Sequence, residues 1–316
     1  MSDLGRVSRQ NPCPICGRVD WCAYNSRIAI CMRTQSNTPT ANGGWLHKLD
    51  SSVEAPPVQD EKKKIERKSD DALDEVYRKL LNLLPLHSKH YKHLKERGMK
   101  DSEIARFKYR TLPSGSREKF LSYFTPSKVE GIPGFGIKRG RLSLAGRPGL
   151  IIPVISPNNK IVSLVIRPDK QDPGRKYIVL SSSWLEKGSS PGARIHLATP
   201  SQIETNTIWI TEGPLKANIS AERLKARVIA VPGVSSWGEI LDLNLPERMV
   251  LAYDSDYENF QVRYHARKLS NALLDKGVDL KAALWDNFKG LDDVLVGEGK
   301  IRLARVTKKP LPKHPS

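Results

Sequence analysis

The sequence has few cysteines and no long apolar run. Its four cysteines all lie within the first 31 residues. A membrane-spanning helix needs about 20 consecutive apolar residues, and no segment reaches that length. The residues that follow Met1 contain no apolar segment of the kind found in a secretion signal, so we expect a cytoplasmic protein with no membrane partner. The phosphate-binding motif Gly-x4-Gly-Lys-Ser/Thr is also missing, which excludes a helicase of that class within these 316 residues.

Acidic residues are scarce relative to basic ones. The chain has 52 lysines and arginines against 34 aspartates and glutamates, which gives a formal net charge of +18. A surplus of this size favours a polyanionic partner, most simply nucleic acid. The alternative is a basic surface that serves only solubility, because the positive charge is spread over the whole chain.

The clustered cysteines predict a metal site, since such spacing in an intracellular chain indicates metal binding before disulfides. The first two have the Cys-x2-Cys spacing of a zinc knuckle. The other two flank residues 23–30, where Asn25 and Ser26 favour a hairpin turn that places these cysteines opposite each other. His47 is the alternative fourth ligand, in which case Cys22 would be a packed thiol. The favoured zinc ligands are Cys13, Cys16, Cys22 and Cys31.

The cysteines define a zinc-ribbon module at residues 1–50. A module of this size buries little core, so the metal would supply much of its folding energy. Trp21 and Trp45 are interpreted as packing beside the metal site rather than stacking on bases. Residues 51–70 have no apolar period and are predicted to form a flexible linker.

Residues 71–205 are predicted to contain helices followed by strands. Apolar residues recur at helical spacing over 73–84, and Pro85 ends that pattern. His87, His90 and His93 follow at intervals of three, and a solvated helix face is a simpler interpretation than a metal site. The predicted strands are 150–156, 160–167 and 176–181.

Acidic residues follow two short apolar runs in the region 206–300. Runs at 208–210, 228–231 and 249–252 alternate with segments of helix-forming composition, which predicts a parallel, Rossmann-like sheet. Functional groups in such sheets collect beyond the carboxyl ends of the strands. Asp254 and Asp256 are two residues apart and point to one side of an extended segment. Carboxylates in this arrangement suit Mg²⁺, and Glu212 on the neighbouring strand could be a further ligand or a proton-transfer group.

The order Glu-Gly, x-x-Gly and Asp-x-Asp after successive strands resembles the Toprim domain of bacterial-type primases, topoisomerases and some nucleases. The resemblance implies that Glu212 is a catalytic acid or base and that Asp254 and Asp256 hold Mg²⁺ or Mn²⁺. Primases of this type usually carry an aspartate a few residues after the Glu-Gly pair. Here Lys216 and Asn218 lie near that position.

The strands before these acids resemble the RNA polymerase core of bacterial replicative primases. Those cores carry an arginine at the end of the second strand and a Lys-Tyr pair followed by serines. The resemblance implies that Arg167 and Lys176 line a groove for the template or a nucleoside triphosphate. Arg147 and Lys216 are predicted to be further nucleotide-binding or nucleic-acid-binding residues.

The whole chain also resembles the zinc-plus-Toprim proteins of phages, plasmids and integrated mobile elements, in which Glu-Gly-Pro-Leu-Lys and Lys-Gly-Leu-Asp-Asp recur. The second motif, residues 289–293, could supply a further carboxylate, but a cap for the last helix is the favoured interpretation. Residues 301–316 are basic and rich in proline, and we predict that they form a disordered tail.

The predicted fold class is α/β: a zinc ribbon, a mixed α+β primase subdomain and a Toprim domain. These resemblances imply a DNA primase that makes short RNA primers on single-stranded DNA from nucleoside triphosphates by Mg²⁺-dependent nucleotidyl transfer. A separate replicative helicase would unwind the duplex. A Toprim nuclease and a non-catalytic, zinc-containing single-stranded DNA-binding protein of a mobile element are the alternatives.

Overall fold

The computed structural model describes residues 4–40, 44–50, 53–54, 65–115, 117–171, 176–254 and 259–312. The chain forms two compact units, Met1–Lys64 and Ile65–Ser316. The predicted linker spans the boundary between them, and most of its residues lie outside the described ranges. Because Ile65–Ser316 is one compact unit, its division near residue 205 stays a prediction. No helix in the described ranges has both the length and the apolar character that a membrane span requires.

The first unit contains a small antiparallel sheet. The predicted hairpin turn is present: the Asn25 side-chain oxygen accepts hydrogen bonds from the backbone N–H groups of Arg27 and Ile28, each at 2.9 Å. This turn pairs Ala23 with Ile30 and brings the cysteines on either side of the hairpin together. In spatial order, the strands are β1 (Gly5–Arg6), β2 (Ala23–Tyr24), β3 (Ile28–Cys31) and β4 (Trp45–Lys48).

The second unit begins with helices and then forms an antiparallel sheet of order β10-β9-β8-β5. Its elements up to the end of that sheet are α1 (Asp70–Leu83), α2 (Ser88–Glu96), α3 (Asp101–Arg106), β5 (Arg110–Leu112), α4 (Glu118–Leu121), α5 (Pro126–Val129), β6 (Phe135–Lys138), β7 (Arg141–Leu144), β8 (Gly149–Ile155), β9 (Ile161–Pro168) and β10 (Ile178–Val179). The strands β6 and β7 form a separate two-stranded sheet.

The two long strands of this sheet, β8 and β9, are mostly apolar because both faces are covered. On one face, Ile151 and Leu164 pack against α1, where Tyr77 and its apolar neighbours are buried at helical spacing as predicted. On the other face, Ile152 and Val162 pack with residues from α2, α3 and a later helix. A strand buried on both faces has no reason to alternate between apolar and polar residues.

The second sheet has six strands in the order β11-β13-β12-β14-β15-β16, and its four central strands are parallel. This confirms the predicted strand-and-helix alternation. The remaining elements are β11 (His196–Ala198), β12 (Ile208–Glu212), α6 (Pro214–Leu224), β13 (Val228–Val231), a 3₁₀ turn (Gly238–Asp242), β14 (Arg248–Leu251), α7 (Phe260–Asp275), β15 (Asp279–Leu284), α8 (Leu291–Val296) and β16 (Arg302–Arg305).

The prediction of a disordered tail from residue 301 is wrong for its first part. Residues of β16 pair antiparallel with β15, in a register that places Arg305 opposite Lys281. Val306 then packs against the core, and Lys309 exchanges hydrogen bonds with the side chain of Asn271. An edge strand satisfies the backbone groups of β15, and its basic residues mask the strand signal in the sequence. Residues 313–316 lie outside the described ranges.

A buried chain of hydrogen bonds ties α6 to both sheets. The Ile155 backbone N–H donates to Nδ1 of His196 at 2.9 Å, so the ring donates from Nε2 to the Asn218 side-chain oxygen, also at 2.9 Å. The Asn218 amide then donates to the Tyr109 hydroxyl at 2.8 Å. This arrangement needs a neutral imidazole. Burial lowers the pKa of His196 to about 4, although the hydrogen bond to Asn218 acts in the opposite direction.

We predict that His196 makes the stability of the second unit depend on pH. The unfolded chain takes up a proton near pH 6.5, the ordinary pKa of histidine, whereas the folded chain does so only near pH 4. The unfolded state therefore binds more protons in this window, and stability falls as the pH is lowered through it. Between pH 7 and pH 4, the free energy of unfolding of the parent should fall by about 3 kcal/mol more than that of His196→Asn.

Urea unfolding followed by circular dichroism at several pH values measures this difference. The matched control is His87→Asn, because His87 is exposed at the start of α2. This control should keep the pH dependence of the parent. Equal pH dependence in the parent and in His196→Asn would contradict the prediction.

Candidate active site and zinc site

The four cysteine sulfurs of the first unit form one cluster. Their Sγ atoms all lie within 4.8 Å of one another. Cys22 Sγ lies 3.8 Å from Cys16 Sγ and 3.9 Å from Cys31 Sγ. Four thiolates around a tetrahedral zinc ion, with Zn–S bonds of about 2.3 Å, have sulfurs about 3.8 Å apart. The donor set and its spacing therefore fit zinc.

Backbone groups prepare these sulfurs for a metal. The N–H of Met32 donates to Cys22 Sγ at 3.4 Å, and the N–H of Thr34 donates to Cys31 Sγ at 3.2 Å. Burial raises the pKa of the Cys31 thiol, but the backbone donors of Thr34 and Arg33 outweigh this effect and bring that pKa to about 7. Such donors orient the ligands and stabilise the thiolate form that binds metal.

The alternative ligand His47 lies outside the sulfur cluster. It sits on β4, and its Nε2 donates to the carbonyl oxygen of Thr34 at 2.9 Å. Cys22, which would be only a packed thiol if His47 were the ligand, is a member of the cluster. The geometry therefore favours the four-cysteine set.

We predict that Cys22→Ser loses zinc and that His47→Ala keeps it. The parent should contain about one zinc per chain, as a single tetrahedral site requires. Removing one of four thiolates opens that site, whereas removing His47 leaves all four in place. Elemental analysis of the purified, dialysed proteins measures the zinc content. Zinc loss in His47→Ala together with retention in Cys22→Ser would identify the histidine as the ligand instead.

The two tryptophans of the first unit differ in exposure. Trp45 is buried, as predicted, but Trp21 is 69% exposed and has a backbone φ of +68°. The packing interpretation is therefore wrong for Trp21. Its position one residue before Cys22 holds the ring at the surface beside the cysteine cluster.

In the second unit, Glu212 and Asp254 lie at the same edge of the six-stranded sheet. Glu212 ends β12, and Asp254 follows the end of β14 by three residues. The two strands are parallel neighbours, with Ile210 opposite Leu251. The third predicted acid, Asp256, lies outside the described residues. Gly213, at φ +77°, makes the sharp turn from β12 into α6, a conformation that glycine adopts without strain.

The predicted nucleotide-binding residue Lys216 lies within the acidic site. It sits in the first turn of α6, and its Nζ forms an ion pair with Asp254. Only 14% of its side chain is exposed. Burial lowers the pKa of Lys216 to about 8, the nearby carboxylates of Glu212 and Asp293 oppose this, and the cations Lys176 and Arg97 add to it.

The acidic motif at residues 289–293 brings another carboxylate to this site. The predicted capping role is wrong, because α8 is preceded by Gly290 and no side chain among the described residues caps it. Asp292 is 1% exposed and pairs through Oδ2 with Arg97, at the end of α2. Nη2 of Arg97 also lies 3.8 Å from Oδ1 of Asp293. Asp292 Oδ1 is buried with no hydrogen-bond partner among the described residues. A buried carboxylate oxygen without a partner is the kind of group that a hard cation such as Mg²⁺ or Mn²⁺ binds.

Cationic side chains adjoin the acids. Arg167 lies near the end of β9, and its Nη1 is buried without a hydrogen-bond partner among the described residues. Burial lowers the pKa of Lys176, and the nearby charges of Arg167, Arg97 and Lys289 lower it further. The two predicted groove residues are therefore close together and close to the acids. A buried guanidinium donor without a partner, such as Nη1 of Arg167, is suited to an anion such as phosphate.

Arg147 and the α2 histidines take other positions. Arg147 donates from Nη2 to the carbonyl oxygen of Lys170 at 2.8 Å. This hydrogen bond links the residues just before β8 to the residues just after β9. The prediction of a solvated histidine face is wrong for two of its three members. His90 is buried and bonded to Thr111 and Asp169, and burial, with Arg167 and Arg97 nearby, lowers the pKa of His93 to about 4.

Comparisons with solved structures identify the fold. The zinc-binding and RNA polymerase domains of the Aquifex aeolicus primase match with a TM-score of 0.57 and 16% identity, over 74% of this chain and 63% of that one. A DNA primase domain from Pseudomonas aeruginosa matches at 0.57 and 15%, over 72% and 75%. The DnaG primase catalytic domain bound to single-stranded DNA matches at 0.55 and 17%, over 73% and 77%. The chain has a DnaG-like primase fold.

This likeness is one of structure. No family model matches the sequence, and no curated protein matches it either. The chain spans less than two thirds of the Aquifex aeolicus structure that it resembles. At these identities the likeness shows a shared DnaG-like fold and does not assign the chemistry of the site.

Proposed function

We propose that this chain is a DNA primase, which makes short RNA primers on single-stranded DNA. One observation carries the proposal: in a DnaG-like fold, Glu212 and Asp254 lie at the ends of neighbouring parallel strands and adjoin the cations Arg167 and Lys176. The six-stranded sheet would then be a Toprim domain, and the sheet of order β10-β9-β8-β5 would form a wall of the template groove.

The site residues divide the chemistry between them. Arg167 would bind a phosphate of the template or the nucleoside triphosphate through two parallel hydrogen bonds, and Lys176 would add a point charge. Asp254, Asp256 and Asp292 would hold Mg²⁺ or Mn²⁺. When bound, this cation would offset the charge of the triphosphate. Glu212 would accept the proton of the attacking 3′-hydroxyl, and most of the rate would come from positioning and electrostatics.

The first unit would contribute to template binding. The exposed ring of Trp21 beside the cysteine cluster is suited to stack on an unpaired base. A separate replicative helicase would supply the single strand. The motifs Glu-Gly-Pro-Leu-Lys and Lys-Gly-Leu-Asp-Asp support the further proposal that the protein serves a phage, plasmid or integrated element.

We predict that Glu212→Gln, Asp254→Asn and Asp256→Asn abolish primer synthesis without weakening DNA binding. Each change removes a proton acceptor or a metal ligand while keeping the shape of the side chain. Turnover should fall by a factor of about 10² or more. Incorporation of labelled nucleotides on single-stranded DNA with Mg²⁺ or Mn²⁺ measures the activity, and fluorescence anisotropy measures the binding. More metal should partly rescue the two aspartate variants but not Glu212→Gln.

The matched control is Glu247→Gln. Glu247 is an exposed acid directly before β14, at the end of that strand opposite Asp254, so its loss should leave the activity unchanged. Full primer synthesis by all three site variants would place the active site elsewhere. Strand cutting by the parent, stopped by the same three changes, would replace the primase with a nuclease. Binding with no Mg²⁺-dependent turnover of either kind would identify a non-catalytic single-stranded DNA-binding protein.

We also predict that the affinity for single-stranded DNA falls steeply with salt, because phosphate contacts release counterions. Arg167→Ala and Lys176→Ala should each reduce the slope of log affinity against log salt concentration by about 1. Lys308→Ala is the control for a general loss of charge, since Lys308 forms an exposed ion pair with Asp275. A flat salt dependence in the parent would rule out binding through the phosphate backbone. Equal slopes in the parent and all variants would show that Arg167 and Lys176 do not contact DNA phosphates.

A further inference from the structure

A buried lysine occupies the middle of the proposed metal site. Its ammonium group pairs with Asp254, and the charges of Glu212 and Asp293 also act on it. The position is electrostatically unfavourable for an isolated lysine. It lies in the first turn of α6, where the helix dipole repels cations, and burial removes most of the water from its charge. The surrounding carboxylates must therefore offset both costs.

The surrounding backbone is shaped to receive this side chain. Gly290 precedes α8, and a Cβ atom added there would lie 2.8 Å from Lys216 Nζ and 3.0 Å from its Cε. Both distances are too short for a carbon atom to fit without displacing the lysine. The same added atom would lie 3.1 Å from Asp292 Oδ1, so this buried oxygen without a hydrogen-bond partner faces the same space.

We propose that Lys216 is a built-in cation of the acidic site, and that it takes the place of a second divalent ion. The site would then hold one exchangeable Mg²⁺ or Mn²⁺ beside a fixed ammonium group. The inference rests on the proposed function only in taking Glu212, Asp254 and Asp292 as ligands of a divalent cation. The ammonium group would also offset the repulsion between the carboxylates around Lys216, since like charges near one another repel.

The test counts Mn²⁺ ions bound to the zinc-loaded full chain, by equilibrium dialysis and electron paramagnetic resonance of the free ion. The parent should bind one Mn²⁺. Lys216→Asp, which replaces the cation with a carboxylate, should bind two. Lys216→Met, a neutral side chain of similar length, should bind Mn²⁺ about tenfold more tightly than the parent, because a nearby positive charge is gone. Lys225→Met is the matched control at the other end of α6, where Lys225 pairs with Glu204 in solvent, and it should behave as the parent.

Two bound Mn²⁺ ions in the parent would overturn the proposal whatever the variants do, so the test does not depend on their folding. Weaker Mn²⁺ binding in Lys216→Met would also overturn it, and would show that the lysine supports metal binding. The outcomes separate this inference from the proposed function. One ion in the parent and two in Lys216→Asp, with no primer synthesis, would leave the inference standing and remove the primase. Primer synthesis by a parent that binds two Mn²⁺ ions would remove the inference and leave the proposed primase function standing.

Discussion

The second unit depends on burying one helix between two sheets. On one side of α6, Leu215 and Ile219 pack with β8 and β9, and on the other, Ala217 and Ala221 pack with β12 and β13. A helix that is buried on opposite sides cannot rotate or slide without opening one of the two cores. The turn at Gly213 and the side chains of the first helical turn are therefore fixed by packing that lies outside the site. This packing therefore sets the geometry of the site at the edge of the six-stranded sheet.

The parts of the molecule that depend on local patterns could be predicted from the sequence. The cysteine spacing and the turn at Asn25 are local, and the structure brings the four sulfurs together. The positions of Glu212 and Asp254 at one sheet edge follow from strand ends, and the parallel pairing is present. The rest depends on contacts between distant segments. Arg97 and Asp292 are 195 positions apart, and no pattern in residues 289–293 distinguishes a buried ion pair from a helix cap. Similarly, His90 looks like a surface residue until Asp169 is placed beside it.

The positive charge of the chain acts on two length scales. The net charge of +18 produces a field that attracts polyanions over distances of about a Debye length, roughly 8 Å at physiological salt. Within the site the balance is different, because Arg97 and Lys216 are already paired with Asp292 and Asp254. Arg167 retains an unsatisfied donor. The distant charges would thus govern encounter with a nucleic acid, while a few unpaired donors would govern its placement.

The ion pair between Arg97 and Asp292 has a consequence for the order in which the protein folds during synthesis. The cysteine unit uses only residues near the amino terminus, so it can close while the ribosome is still making the remainder. The acidic site cannot form at that stage, because it includes an ion pair between Arg97 at the end of α2 and Asp292 in α8. Contacts of such long sequence separation slow folding, and synthesis proceeds at about 5–20 residues per second. For about 10–40 seconds, then, the growing chain carries an ordered cysteine unit and an exposed, unfinished sheet, which is the interval in which a chaperone would have most effect on its yield.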